Sequence, residues 1–104
     1  MPELYRVNIT NQALVDLESI FEYVRRDSLQ NAAKLIERLL DAIDDLEFMP
    51  GRFRDAAKSR TRGTVMHARV MRPFIIYYRI DEPNRAVFIV EVRHGARRQP
   101  RRFE

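Results

Sequence analysis

The side chains best suited to acid–base or phosphate chemistry lie in the second half of the chain. Glu91, Arg93 and His94 follow one another closely, and Arg69 and Arg79 lie in the two preceding apolar stretches. Histidine and carboxylate groups can transfer protons near neutral pH, and guanidinium groups can stabilise the charge that develops on a phosphate. If the chain catalyses a reaction at a phosphate, these residues form the candidate catalytic set.

A larger set of arginines fits binding without catalysis. The guanidinium group presents a planar fork of donors that suits phosphates, carboxylates and aromatic faces. The candidate target-binding residues are Arg60, Arg62, Arg69, Arg72, Arg79, Arg93, Arg97 and Arg98. In this interpretation no residue is catalytic, and His94 is a structural residue that bonds a nearby carbonyl.

The two halves of the chain carry opposite charge. Residues 1–50 contain five basic and ten acidic side chains, a net charge of −5, whereas residues 51–104 contain fourteen basic and five acidic ones, a net charge of +9. An excess of arginine over lysine is also what a GC-rich genome produces, so that excess is not used as evidence for a function. The inference depends on the difference in charge between the two halves. It indicates that the second half meets an anionic partner.

Size and composition narrow the class of protein. The length predicts a single domain over residues 1–104, with a basic tail at about residues 95–104. There is no cysteine and there are only two histidines, far apart in sequence, so we expect neither a metal nor a cofactor. No apolar run approaches the roughly 20 residues that span a bilayer, so no membrane partner is expected. The first residues lack the apolar core of a secretory signal, so we expect a cytoplasmic protein.

The beginning of the chain predicts a strand followed by a helix. Residues 5–10 alternate apolar and polar side chains, which is typical of a strand with one buried face. Thr10 or Asn11 then offers a helix N-cap, and apolar residues at spacings of three and four predict a helix over residues 13–24. In this interpretation Asp16 lies on the solvent side of the helix.

A second helix is predicted over residues 29–48, and it ends at Met49-Pro50-Gly51. Because the link between the helices is short, they must form an antiparallel hairpin. Residues 51–63 have little periodicity and several basic side chains, and they predict a basic loop. Strands are predicted over residues 64–72, 74–80 and 86–93, the last two joined by a hairpin loop.

The strand phases predict which side chains share a face. In the last strand, alternation separates Phe88, Val90 and Val92 from Val87, Ile89, Glu91 and Arg93. Helical apolar stripes cover one face of a sheet, and we expect Arg69, Arg79 and Arg93 to converge on the other. His67 is predicted to be a surface strand residue.

The order of elements is β-α-α-β-β-β. Such an order predicts an α+β fold, in which an N-terminal strand and an antiparallel helical hairpin accompany a mostly antiparallel β-sheet. The hairpin is expected to pack on one face of that sheet. The opposite face is then available for water or for a partner.

Five segments, in this order, form one recognisable pattern. They are Val7-Asn8-Ile9-Thr10 with Ala13 and Asp16-Leu17, then Phe21-Glu22-Tyr23-Val24, then Leu39-Leu40-Asp41-Ala42-Ile43, then Phe74-Ile75-Ile76-Tyr77-Tyr78-Arg79-Ile80, then Val90-Glu91-Val92-Arg93-His94-Gly95-Ala96-Arg97. Together they resemble the ParE/RelE toxin superfamily of type II toxin–antitoxin systems over nearly the whole chain. The last two segments are similar to the ParE branch in particular.

The resemblance implies a toxin that a co-encoded antitoxin neutralises with a flexible C-terminal segment. For the ParE branch it implies inhibition of DNA gyrase by binding, which is the interpretation we favour. For the RelE branch it implies ribosome-dependent cleavage of mRNA, which is the alternative. A third interpretation, a nucleic-acid-binding protein without a toxin role, rests on the basic second half alone.

Overall fold

A computed structural model describes residues 4–53, 55–61 and 64–95, with the side chains of residues 55–61 and 64 left outside the description. The strands are β1 (Arg6–Ile9), β2 (Asp55–Thr61), β3 (Thr64–Met71), β4 (Phe74–Asp81) and β5 (Ala86–His94). The helices are α1 (Asn11–Arg25) and α2 (Leu29–Asp44), and two short 3-10 helices follow at Asp45–Glu47 and Pro50–Arg52.

The five strands form one sheet in the order β1-β5-β4-β3-β2. Strand β1 pairs parallel to β5, and the other neighbouring strands pair antiparallel. A parallel pair needs a long crossover connection, and here the two helices and strands β2 to β4 separate β1 from β5 along the chain. The predicted α+β class, with a helical hairpin on one face of a mostly antiparallel sheet, is confirmed.

Short polar side chains determine where the helices begin. The Thr10 hydroxyl accepts the N–H of Ala13 at the start of α1, and the Ser28 hydroxyl accepts the N–H of Asn31 at the start of α2. Each satisfies one of the amides that a helix N-terminus leaves unpaired. Asp27 and Ser28 both donate their N–H to the carbonyl oxygen of Val24, which turns the chain back on itself.

The core lies between the hairpin and the sheet. Its fully buried side chains include Leu39, Ile43 and Leu46 from the helical side and Ile76, Tyr78, Val87 and Ile89 from the sheet. Tyr78 brings a hydroxyl into this apolar layer, and the hydroxyl donates to the carbonyl oxygen of Pro50 at 2.5 Å. No helix in the described residues is long and apolar enough to cross a membrane.

The prediction of a basic loop over residues 51–63 is wrong for most of its length. Residues 50–52 form a 3-10 turn, and residues 55–61 form β2 at the edge of the sheet, with an irregularity between Asp55 and Arg60. An edge strand commonly carries charged residues that discourage pairing with other chains. Those charges, with an irregular register, remove the alternation by which a strand is recognised.

Strand β5 contains a bulge that changes which of its side chains face the core. Tyr78 pairs with Ile89 and Tyr77 pairs with Glu91, so Val90 is an extra residue. Val87, Ile89 and Val92 therefore belong to the core. The prediction that Phe88, Val90 and Val92 share one face is wrong, because it assumed unbroken alternation.

Candidate functional site

The side of the sheet opposite the helices carries a mixed aromatic, apolar and charged surface, which we call the open face. Side chains of paired residues lie on the same face of a sheet, and successive residues alternate. The pairings therefore assign to the open face Ala68 and Val70 from β3, Ile75, Tyr77 and Arg79 from β4, and Phe88, Glu91 and Arg93 from β5. Neither helix packs on this side.

Arg79 lies flat on the open face. It pairs with Phe88 across the strands, and its guanidinium carbon is 4.2 Å from the centre of the Phe88 ring. This cation–π contact fixes the orientation of a charge whose side chain is partly buried. Within the described part of the chain, no carboxylate lies within ion-pair distance of Arg79, so its charge is available to a partner.

Arg93 shares the open face with Arg79 but is paired with an anion. Its Nε lies 2.7 Å from Oε1 of Glu91, and the two side chains are 18% and 19% exposed. The pair joins residues two apart on the same face, beyond the bulge. An anionic partner must therefore compete with Glu91 for the Arg93 guanidinium.

Arg69 does not lie on the open face, and that prediction is wrong. It pairs with Ile76 on the helix side of the sheet. Its Nη1 donates to the carbonyl oxygen of Ala42 at 2.7 Å and to Oδ2 of Asp45 at 3.0 Å. The long aliphatic stem crosses the rim of the core, and the charged end reaches acceptors at the end of α2.

Asp45 is the centre of a cluster at that end of the molecule. Its Oδ2 also accepts from Nη2 of Arg52, whose Nη1 bonds the carbonyl oxygen of Phe48. Both guanidinium groups also contact the Phe53 ring, with each guanidinium carbon 4.7 Å from the ring centre. We call Asp45, Arg52, Phe53 and Arg69 the Asp45 cluster, and its contacts are those of a structural anchor.

The two histidines both lie on the helix side of the sheet. His94 pairs with Phe74 and contacts its ring edge-on, with the ring centres 5.3 Å apart. His67 stacks on Tyr78 with ring centres also 5.3 Å apart, so the prediction of a surface position for His67 is wrong.

The candidate catalytic residues are therefore divided between the two faces of the sheet. Arg79, Glu91 and Arg93 share the open face, whereas Arg69 and His94 lie on the helix side.

The remaining predicted binding residues are described only in part. Arg72 is exposed in the turn between β3 and β4. The backbone of Arg60 lies in β2, and its side chain is outside the description. Arg62, Arg97 and Arg98 lie outside the described residues, as does the predicted tail beyond Gly95. The described ranges contain no group of three or more His, Cys, Asp or Glu side chains placed to hold a metal ion.

Asp16 is a residue whose role the sequence analysis missed. Its carboxylate accepts the backbone N–H of Val92 at 2.9 Å and the side-chain N–H of Gln12 at 2.9 Å. The signal was present, because Asp16 follows the buried Ala13 by three residues and so lies on the same side of α1. Asp16 thus joins the first helix to the strand that carries Arg93.

The fold and the open face together define a small α+β protein that presents a fixed guanidinium beside aromatic and apolar side chains. A family model, described as the ParE toxin of the type II toxin–antitoxin system parDE, matches residues 7–99. The chain belongs to this family, and the resemblance seen in the sequence is confirmed. No match was found among curated proteins.

Solved structures of toxin–antitoxin complexes have the same fold. The chromosomal ParDE system of P. aeruginosa is similar with a TM-score of 0.68 and 18% identity, over 88% of this chain and 96% of that one. The RelBE2 complex of Mycobacterium tuberculosis has a TM-score of 0.57 and 26% identity, over 91% and 95% of the two chains. The archaeal RelE–RelB complex of Pyrococcus horikoshii OT3 has a TM-score of 0.64 and 18% identity, over 91% and 99%.

Proposed function

We propose that this protein is the toxin of a type II toxin–antitoxin pair, that it inhibits DNA gyrase by binding it, and that a cognate antitoxin neutralises it. The observation that carries this choice over an enzyme is the division of the candidate catalytic residues. A nuclease needs its base, acid and cation within reach of one phosphate. Here Arg69 and His94 lie on the side of the sheet opposite Arg79, Glu91 and Arg93.

The open face supplies the docking surface in this proposal. Arg79 is held in place by Phe88, so little side-chain freedom is lost when a partner binds it. Aromatic and arginine side chains are the residue types that most often dominate binding energy at protein interfaces. Arg60, Arg62, Arg72, Arg97 and Arg98 would add positive charge that steers an anionic target towards the protein.

The antitoxin is the second partner that we propose. The similar structures are named as complexes of a toxin with its antitoxin, which supports the same assembly for this chain. A neutralising segment would need acidic side chains for the open face and apolar ones for the exposed parts of the helical hairpin. Disordered segments bind in this way, with a few buried anchors and electrostatic steering. With these two partners, we propose a cytoplasmic location for the toxin.

A ribosome-dependent mRNA endoribonuclease is the second candidate. It is favoured by the likeness to RelE-containing complexes and by the Glu91–Arg93 pair, which puts a carboxylate beside a guanidinium on one face. For this reaction His94 would have to leave its contact with Phe74 and reach the open face.

Two assays with purified protein distinguish the two candidate functions. We expect the wild-type toxin to inhibit supercoiling by gyrase, and the cognate antitoxin to reverse the inhibition. His94→Ala should inhibit as the wild type does, because His94 packs on the helix side. Arg97→Ala with Arg98→Ala should weaken inhibition without unfolding the protein. Codon-specific cleavage of ribosome-bound mRNA that His94→Ala abolishes, with no effect on gyrase, would replace the proposal with the second candidate.

A further inference from the structure

The N-terminal end of α1 meets β5 at the bulge. Strand β1 pairs with β5 as far as Ile9 opposite Ile89, whereas β5 continues to His94. Among the described residues, no strand therefore lies beside the edge of β5 beyond Ile89 on that side. The N–H of Val92 lies on this uncovered edge, and the Asp16 carboxylate accepts it at 2.9 Å.

Two further contacts hold the carboxylate and the bulge together. Gln12 donates to Oδ1 of Asp16 at 2.9 Å, which leaves Oδ2 directed at Val92. The Thr10 hydroxyl donates to the carbonyl oxygen of Ile89 at 2.7 Å and lies 3.3 Å from that of Val90. The start of α1 thus contacts the backbone on both sides of the extra residue, Val90.

The bulge decides which face Arg93 occupies. Before it, Val87 and Ile89 face the core; after it, Val92 does, and Val92 is only 4% exposed. Without the extra residue, Glu91 and Arg93 would continue the phase of Val87 and Ile89 and point to the helix side. The bulge therefore places Glu91 beside Tyr77, and Arg93 beside Ile75, on the open face.

We propose that Asp16 is a positioning residue for target binding: by accepting the Val92 N–H, its carboxylate fixes the β5 bulge and so holds Arg93 and Glu91 on the open face with Arg79. This inference rests on the proposed binding role of the open face. Asp16 itself touches no target. Its effect on binding passes through the backbone of residues 90–93, and its loss removes the acceptor of the Val92 N–H at this partly buried edge of the sheet.

The test compares Asp16→Ala with the conservative Asp16→Asn, whose side-chain carbonyl retains an acceptor for Val92. Glu18→Ala is the matched control, because Glu18 is an exposed carboxylate on the same helix. Three quantities are measured at a temperature where every variant is folded: amide hydrogen exchange of Val92, the cross-strand proton contacts of Ile75 with Arg93, and affinity for the gyrase holoenzyme.

Asp16→Ala should raise Val92 exchange, weaken the contact of Ile75 with Arg93, and lower affinity for gyrase by up to roughly hundredfold, the limit reached when the binding-competent conformation loses the full energy of one hydrogen bond to a charged group. Asp16→Asn should restore most of that affinity, and Glu18→Ala should change none of the three. If Asp16→Ala does not fold, Gln12→Ala replaces it, because Gln12 is exposed and its loss only frees the carboxylate to move. In Gln12→Ala, the amide exchange of Val92 should then rise and the affinity for gyrase should fall.

Two results would overturn the proposal. One is an unchanged gyrase affinity in a variant whose Val92 exchange has risen, which would make Asp16 a purely structural residue. The other is an unchanged Val92 exchange in Asp16→Ala, or in Gln12→Ala where it is used. Failure of the proposed function itself is recognised separately, because Arg79→Ala with Arg93→Ala would then also leave gyrase binding intact.

Discussion

Arg69 on β3 forms a salt bridge with Asp45 at the end of α2, with Nη1 3.0 Å from Oδ2. The same nitrogen donates to the carbonyl oxygen of Ala42, one of the last carbonyls of the helix. Arg69, which the sequence analysis assigned to target binding, therefore joins the helical hairpin to the sheet. The Asp45 cluster anchors the chain where it leaves the helices and enters β2.

Replacing Arg69 should lower stability. Arg69→Met keeps the aliphatic stem and removes both bonds, and we expect the free energy of unfolding to fall by about 1–2 kcal/mol, because Asp45 is half exposed and its ion pair is screened by water. The loss of unfolding free energy is measured as a lower midpoint of urea unfolding with an unchanged m-value. Arg72→Ala is the control, since Arg72 is exposed. Equal midpoints for Arg69→Met and wild type would show that the anchor contributes nothing.

Removing the Tyr78 hydroxyl should also lower stability. The hydroxyl donates to the carbonyl oxygen of Pro50 inside the core, where Tyr78 is 0% exposed. Tyr78→Phe leaves that carbonyl without its donor, and we expect a loss of about 1–2 kcal/mol by urea unfolding. Tyr23→Phe is the matched control, because Tyr23 is 61% exposed. A Tyr78→Phe protein as stable as the control would contradict the assignment of this bond.

The pKa of Tyr5 should lie above the ordinary value for a tyrosine. The bond from its hydroxyl to Oε1 of Glu82, 2.8 Å long, raises the pKa of Tyr5 above its ordinary value of 10.0, with desolvation adding to the shift. A raised pKa in the folded state means that this contribution to stability is present below the ordinary pKa and is lost as pH rises through the higher value. Phenolate absorbance is titrated against pH in wild type and in Tyr5→Phe, and the difference between the two curves reports the pKa of Tyr5. Glu82→Gln should reduce the shift of that pKa. An unshifted difference titration would refute the effect.

The sequence predicted the elements in which one local pattern dominates. Leu39 and Ile43 lie four residues apart on one stripe of α2, Ile76 and Tyr78 lie two apart on β4, and all four are buried. The N-cap at Thr10 was also predictable, because a short hydroxyl before an apolar stripe is a local signal. These features need only neighbouring residues to be recognised.

The features that were missed depend on distant parts of the chain. Strand β2 pairs with β3 but has no apolar alternation of its own. The bulge at Val90 is held by Asp16, more than seventy residues away in sequence. Arg69 lies on the helix side opposite Ile76, where Ala42 and Asp45 accept its hydrogen bonds. The alternation of β3 alone could not reveal a partner on α2, so the candidate site was predicted only in part.

The most direct test of the account is gyrase supercoiling in the presence of purified Arg79→Ala with Arg93→Ala. The matched control is Arg25→Ala with Arg26→Ala, which removes the same charge from exposed positions at the end of α1. If the open face binds the target, the first double variant should need at least about tenfold more protein for equal inhibition, since each lost contact costs roughly 1 kcal/mol or more, while the control behaves as the wild type. Equal inhibition by both double variants, each folded, would contradict the account.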